Sequence, residues 1–215
     1  MAGRKKFDIA TALDAAMIQF WRAGYADTSV DDLSRATGLN RSSIYSSLGD
    51  KDTLFLRCLE RYTTRYGGKY DTALSCAADR PLAAVRAFFD ITLERIADPG
   101  LPDGCLVAQT VMATPALSAS VAARAREAIG FQYTRLRAAL KAGRLHDEAA
   151  DSFATHLAAV NQSLAVMSRA GTSAEQLRAI VDVTLDALAQ ALGASCVPSP
   201  SPARSPGRTG TSSRQ

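Results

Sequence analysis

Two glycines, Gly38 and Gly49, confine the segment Thr28–Lys51 (TSVDDLSRATGLNRSSIYSSLGDK) to two short helices and a tight turn. Ser29 with Asp32 three residues later approximates a capping box. Val30, Leu33 and Thr37 share one face before Gly38 stops this helix after about two turns. Asn40 is a good N-cap for the next helix, predicted over Arg41–Leu48, with Ile44 and Leu48 facing inward and Arg41, Ser42, Tyr45 and Ser46 outward. Gly49 ends it, and Asp50 caps a third, longer helix.

The same helical period runs through the rest of the chain. Ala10, Leu13, Met17, Phe20 and Gly24 recur at three- and four-residue steps, predicting a first helix that ends near Gly24. Leu54, Cys58 and Tyr62 mark the longer helix after Asp50, which reaches toward Gly67 and Gly68. Further helices are predicted from Asp79, with Pro81 in its first turn, to Asp98-Pro99-Gly100; from Asp103 to about Thr114; and from about Leu117 to Gly143. The last two cover 148–169 and 173–192, the second opened by a Thr172-x-x-Glu175 capping box. No strand pattern interrupts them. The expected fold is all-α, divided into a helix-turn-helix domain over 1–50, a larger helical domain over 51–193 and a disordered Pro/Ser/Arg-rich tail over 194–215.

Composition excludes several classes. No run approaches the roughly 18 apolar residues of a spanning helix, and MAGRKKFDIA lacks the apolar core of a signal peptide, so a cytosolic location away from membranes is expected. Cys58, Cys76, Cys105 and Cys196 stand far apart with only two histidines in the chain, so no metal and no cofactor are expected. The net charge is +4, but Arg204, Arg208 and Arg214 of the tail supply three of those charges. The body is nearly neutral, and bulk charge does not by itself mark a nucleic-acid binder.

The motif makes the stronger case. A short helix, a glycine turn and a second helix with small polar residues outward are what insertion into the DNA major groove requires. Arg41 is placed to donate to guanine or phosphate, Ser42, Ser43 and Ser46 allow close backbone approach, and Tyr45 offers a hydroxyl to phosphate. Thr28, Ser29 and Lys51 stand at helix N-termini, where amides and the helix dipole favour a phosphate.

These residues carry a resemblance. Gly24-Tyr25-x-x-Thr28-Ser29-Val30-x-x-Leu33, then Thr37-Gly38-Leu39-x-Arg41-x-x-Ile44-Tyr45, then Gly49-Asp50-Lys51-x-x-Leu54 is similar to the TetR family of one-component transcriptional regulators. The family usually has Gly where Ser42 stands and Phe where Leu48 stands. The loss of that Gly leaves the target sequence open. The resemblance implies a homodimer joined through the last two helices on palindromic double-stranded DNA, and a repressor released by a small-molecule effector. Gly104-Cys105-Leu106-Val107-Ala108-Gln109 resembles the start of the sixth helix in one branch of the family, where it borders the effector cavity.

Candidate cavity residues are Phe88, Phe89, Cys105, Gln109, Met112, Phe131, Gln132 and His156, each of which also fits an ordinary core or interface position. Cys105 is read either as an inert thiol or as a reactive one that switches the protein on meeting oxidants or electrophiles. Arg4, Lys5 and Lys6 are either a minor-groove arm or a solubilising terminus. A helical enzyme is the reading of another class; the absence of metal spacing, phosphate loop and nucleophile elbow speaks against it.

Overall fold

The computed structural model describes residues 8–195, and among them are nine α-helices, one short 3-10 helix and no strand. Arg4–Lys6, the 196–215 part of the tail and Cys196 lie outside the described residues. In order, the helices are α1 Ile9–Ala23, α2 Val30–Thr37, α3 Arg41–Ser47, α4 Lys51–Leu74, α5 Pro81–Ala97, α6 Leu106–Met112, α7 Ala119–Ala142, α8 Asp147–Arg169 and α9 Ala174–Ser195.

Local chemistry sets the boundaries. The Asp8 carboxylate caps α1, Ser29 and Asp32 form the reciprocal capping box of α2, Asn40 accepts from Ser43 N–H, and Asp50 accepts from Thr53 N–H. Gly38 turns left-handed at φ +70°, and its N–H satisfies the Ser34 carbonyl.

Three boundaries differ from the sequence reading. Helix α4 runs straight through Gly67-Gly68 to Leu74, and a Cβ at Gly67 would meet Arg135 Nη2 of α7 at 2.8 Å. That glycine lets a neighbour approach and does not end the helix. Helix α6 starts at Leu106, after Gly104 at φ +84°, and breaks into the 3-10 turn Thr114–Ala116. The cap of α9 sits one residue along, as Ser173 and Gln176 exchange backbone-to-side-chain bonds of 3.2 and 3.3 Å.

Helix α4 joins the two halves. Near its start Phe55 meets Phe20 of α1 edge-on at 4.8 Å, and Cys58 lies fully buried against α1. Farther along, Tyr62 packs on Trp21 at 5.1 Å and Tyr70 on Phe88 of α5 at 4.5 Å. One apolar core therefore extends from the first three helices into α5, α7, α8 and α9. Apolar residues of the last two helices, among them Ala154, Leu157, Leu164, Val181, Leu185 and Leu188, are buried in this core. A second, outward stripe of small residues runs along Ala159 and Val166 of α8, its C-cap Ala170, and Ala179, Val183 and Ala187 of α9. Val183 is 71% exposed.

Candidate nucleic-acid interface and inner cavity

Helix α3 is held from behind so that its front stays open. Ile44 and Leu48 are buried in the core, and Arg57 reaches from α4 to donate to the carbonyls of Ser47 and Leu48 at 3.2 and 3.4 Å. Those two carbonyls end the helix without an acceptor role inside it, so Arg57 satisfies them and fixes α3 on α4. Arg57 lies a turn beyond the motif, where spacing gave no sign of this task. The turn before α3 is pinned as well: the Ser34 hydroxyl donates to Leu39 O, and Thr37 Oγ1 donates to Leu33 O at 2.7 Å while accepting from Leu39 N–H.

The exposed front carries Arg41, Ser42, Tyr45 and Ser46, with Ser43 half-buried beside them. Arg41 is not idle. Its guanidinium forks onto Asp31 of α2, with Nε to Oδ1 at 2.7 Å and Nη2 to Oδ2 at 2.5 Å, which holds the Asp31 carboxyl below the usual carboxylate range. Ser29 is exposed but engaged in its capping box, and the Lys51 ammonium lies 4.3 Å over the Tyr25 ring. The Tyr25 hydroxyl donates to Asp52; its own burial, then this carboxylate, push its pKa up to about 12. Thr28 needs correction. It is fully buried, and its hydroxyl donates to Gly24 O at 2.6 Å, so its side chain closes the α1–α2 turn and has no free face for a phosphate.

The cavity candidates divide. Cys105, Phe131 and Gln132 line one small space, together with Tyr62, Tyr66, Tyr70, Val107 and Arg135. Cys105 caps α6 by its backbone, and its sulfur accepts from the Tyr62 hydroxyl at 3.3 Å. Gln132 joins a buried polar chain, accepting from Asn161 Nδ2 at 3.0 Å, while Asn161 Oδ1 accepts from Thr92 at 2.7 Å. The open volume is about 30 Å³, room for a water or two.

The other candidates lie elsewhere. Phe88 and Phe89 are fully buried core, Met112 is 65% exposed, and His156 is exposed on the outer face of α8. Gln109 points away from the cavity: its Nε2 donates to Phe20 O of α1 at 3.2 Å, and its Oε1 accepts from Arg169 of α8. Arg169 also reaches Arg22 O at 3.4 Å. Gln109 and Arg169 thus tie α6 and α8 to the end of α1, a link invisible to spacing because its members are about 60 and 90 residues apart.

A capped, two-helix unit presenting small polar side chains on an anchored short helix defines a helix-turn-helix DNA-binding protein. Comparison with known proteins narrows the class. Residues 12–58 match the family described as "Bacterial regulatory proteins, tetR family", and residues 81–184 match "Tetracyclin repressor-like, C-terminal domain". The HTH-type transcriptional repressor ComR of Escherichia coli (strain K12) is 30% identical over 189 residues, covering 85% of this chain and 90% of ComR. YezE of Bacillus subtilis (strain 168), an uncharacterized HTH-type transcriptional regulator, is 26% identical over 87% of this chain and 100% of its own length. A cysteine mutant of the TetR family regulator CifR, solved with 26 bp double-strand operator DNA, superposes with a TM-score of 0.78 at 28% identity, covering 84% of this chain and 96% of CifR. The chain belongs to the TetR family of transcriptional regulators. Among its described helices none is long and apolar enough to cross a membrane.

Proposed function

We propose that the chain acts in the cytoplasm as a homodimeric repressor that binds a palindromic operator through α3 and leaves it when a small-molecule effector enters the helical domain. The observation that carries this reading is the outward face of α3, with Ser42, Tyr45 and Ser46 exposed on a helix whose other side is locked by Ile44, Leu48 and Arg57. Small side chains let that face approach base edges, and Arg41 supplies a forked donor. CifR, similar along nearly its whole length, was solved on operator DNA. This reading divides the chain into a DNA-binding unit over 1–50 and an effector and dimer unit over 51–193, with α4 as the shared strut. The outward stripe of α8 and α9 supplies the dimer face, since its small residues permit close helix packing.

Effector release is supported by the Gln109–Arg169 link, because a shift of α6 at the cavity is transmitted to the carbonyl of Phe20 and so to α1. Footprinting with the full chain tests the proposal: protection is expected at a sequence upstream of its own or a neighbouring gene, and Arg41→Ala with Tyr45→Ala should abolish it while helical circular dichroism is unchanged. A protein that gives no sequence-specific footprint refutes it.

One observation favours a second trigger. Cys105 lines the cavity, where its sulfur accepts a hydrogen bond from the Tyr62 hydroxyl and stands within reach of anything that enters. An alkylating agent inside the cavity would form a carbon–sulfur bond there as the bond to its leaving group breaks, the leaving group departing with that electron pair and the thiol proton passing to solvent. Cys105→Ser then retains operator binding and no longer releases on treatment with an alkylating agent; release unchanged from wild type eliminates this route.

A further inference from the structure

Arg95 of α5 is 5% exposed, and among the described residues no carboxylate forms an ion pair with it. One guanidinium nitrogen, Nη1, donates to Gly104 O, while the buried Nε–H has no acceptor. The guanidinium lies 5.6 Å over the Tyr66 ring and 5.7 Å over the Trp21 ring. Trp21 Nε1–H is a second buried donor without an acceptor. Two orphan donors beside one uncompensated cation are costly to bury, and folds ordinarily supply a carboxylate or a carbonyl there.

What separates these groups from the cavity is one layer of tyrosine. Tyr62 meets Trp21 edge-on, Tyr66 lies under Arg95, their rings are 4.7 Å apart, and both also line the cavity. No acidic side chain lines that space. Its one lining cation, Arg135, is already paired with Asp71 at 2.6 Å. The rest of the wall is uncharged: aromatic, apolar or hydroxyl-bearing, with the Cys105 thiol and the Gln132 amide among it. Its composition therefore accepts an apolar body and has a single unmet electrostatic demand, for an anion next to Arg95 and Trp21.

We propose that this cavity takes a small carboxylate ligand, with its anionic group paired to Arg95 and accepting from Trp21 Nε1–H, and its apolar part among Tyr66, Tyr70 and Phe131. The proposal rests on the effector-release reading and names the chemical class of the effector. The ligand enters by parting Tyr66 and Phe131, the latter 37% exposed at the rim, since the present volume holds water only. Its contact with Arg95 reaches the Gly104 carbonyl, next to Cys105 and the start of α6, so the ligand acts on the helix that carries Gln109.

Trp21 is the single tryptophan of the chain and serves as the probe. The full-length protein is titrated, without DNA, with benzoate and benzamide and with hexanoate and hexanamide. At least one acid should change Trp21 fluorescence saturably, with its amide at least tenfold weaker. Arg95→Met should bind acid and amide alike, and Arg95→Lys should keep the acid preference with at least threefold weaker acid binding. Equal binding of acid and amide by the wild type, no saturable change with either acid, or an undiminished acid preference in Arg95→Met overturns the proposal. If Arg95→Met does not fold, Arg95→Lys decides, since unchanged acid affinity there overturns it too. Acid-selective quenching with no effect on operator affinity supports this site and counts against effector release.

Discussion

Asp31 and Arg41 form a forked ion pair across α2 and α3, and the Nε–H and Nη2–H engaged there are withheld from a second anion while the pair lasts. On the proposed reading the pair would be exchanged on DNA for a base edge or a phosphate, leaving Asp31 to face the polyanion. Asp31→Asn is therefore expected to tighten operator binding severalfold at low salt, with the gain shrinking as salt rises. Arg41→Ala should weaken it by roughly ten- to hundredfold, the range of a lost bidentate contact. Fluorescence anisotropy on one labelled operator measures both; an Asp31→Asn protein with wild-type affinity at every salt concentration shows that the two anions do not compete. Two other side chains make stability depend on alkaline pH. Burial pushes the Cys58 thiol from its ordinary 9.0 up to about 12, and burial with the Asp52 contact takes Tyr25 from 10.0 to about 12. The neutral forms are favoured by the fold, so their contribution is complete below pH 9 and is lost as pH climbs through 12. Melting temperature should fall across that window, and Cys58→Ala should flatten the fall; a slope identical to wild type would mean Cys58 ionises without cost. The exposure of Tyr45 was legible in the sequence, because Ile44 and Leu48 fix which side faces inward. The burial of Thr28 was not, since its hydroxyl is claimed by a carbonyl four residues back, a choice that only the α1–α2 turn geometry makes.

Helices α6 and α8 meet α1 through the Gln109 amide, which donates to Phe20 O while accepting from Arg169. The site is crowded, as a Cβ at Gly104 would lie 2.7 Å from Arg169 Cδ. Small displacements of α6 therefore move the arginine and the amide together. Gln109→Ala and Arg169→Ala should be non-additive in urea denaturation, with a coupling of about 0.5–1.5 kcal/mol, within the range for residues in one hydrogen-bonded network. Additive losses would dissolve the link as a unit. Most element boundaries obey local rules: Ser29, Asn40 and Asp50 cap where their side chains can reach a backbone N–H, and Gly38 ends α2 because it takes up positive φ. Local rules fail at Gly67-Gly68, where the apolar stripe of Tyr66, Tyr70 and Leu74 continues past the glycines and Arg135 of a distant helix fills the space a side chain would occupy. They fail again for the buried faces of α8 and α9. Periodicity identifies an apolar stripe but does not say whether its partner is the same chain or a second copy.

At the scale of the whole molecule the nearly neutral body limits what a single copy can do on DNA. Few phosphate contacts give weak non-specific binding with a shallow salt dependence, so useful affinity needs two recognition helices acting together. In the proposed dimer the second copy would sit on the stripe through Ala159, Val166, Val183 and Ala187. In a two-fold interface built from α8 and α9 each residue near the axis approaches its own equivalent. Glutamate at position 183 would then face another glutamate across a desolvated contact, with Asp186 of each copy adding like charge nearby. Val183 is 71% exposed and outside the core, so Val183→Glu should leave the fold of the single chain intact. Sedimentation is expected to show a monomer for this variant and a dimer for the wild type. Operator affinity should drop by about 10²–10⁴, the scale of lost bivalent binding, while affinity for one half-site is unchanged. A Val183→Glu protein that remains dimeric moves the interface off this stripe, and a monomeric variant that still binds the full operator as tightly as wild type shows that pairing through α8 and α9 is not what brings two copies of α3 to the DNA.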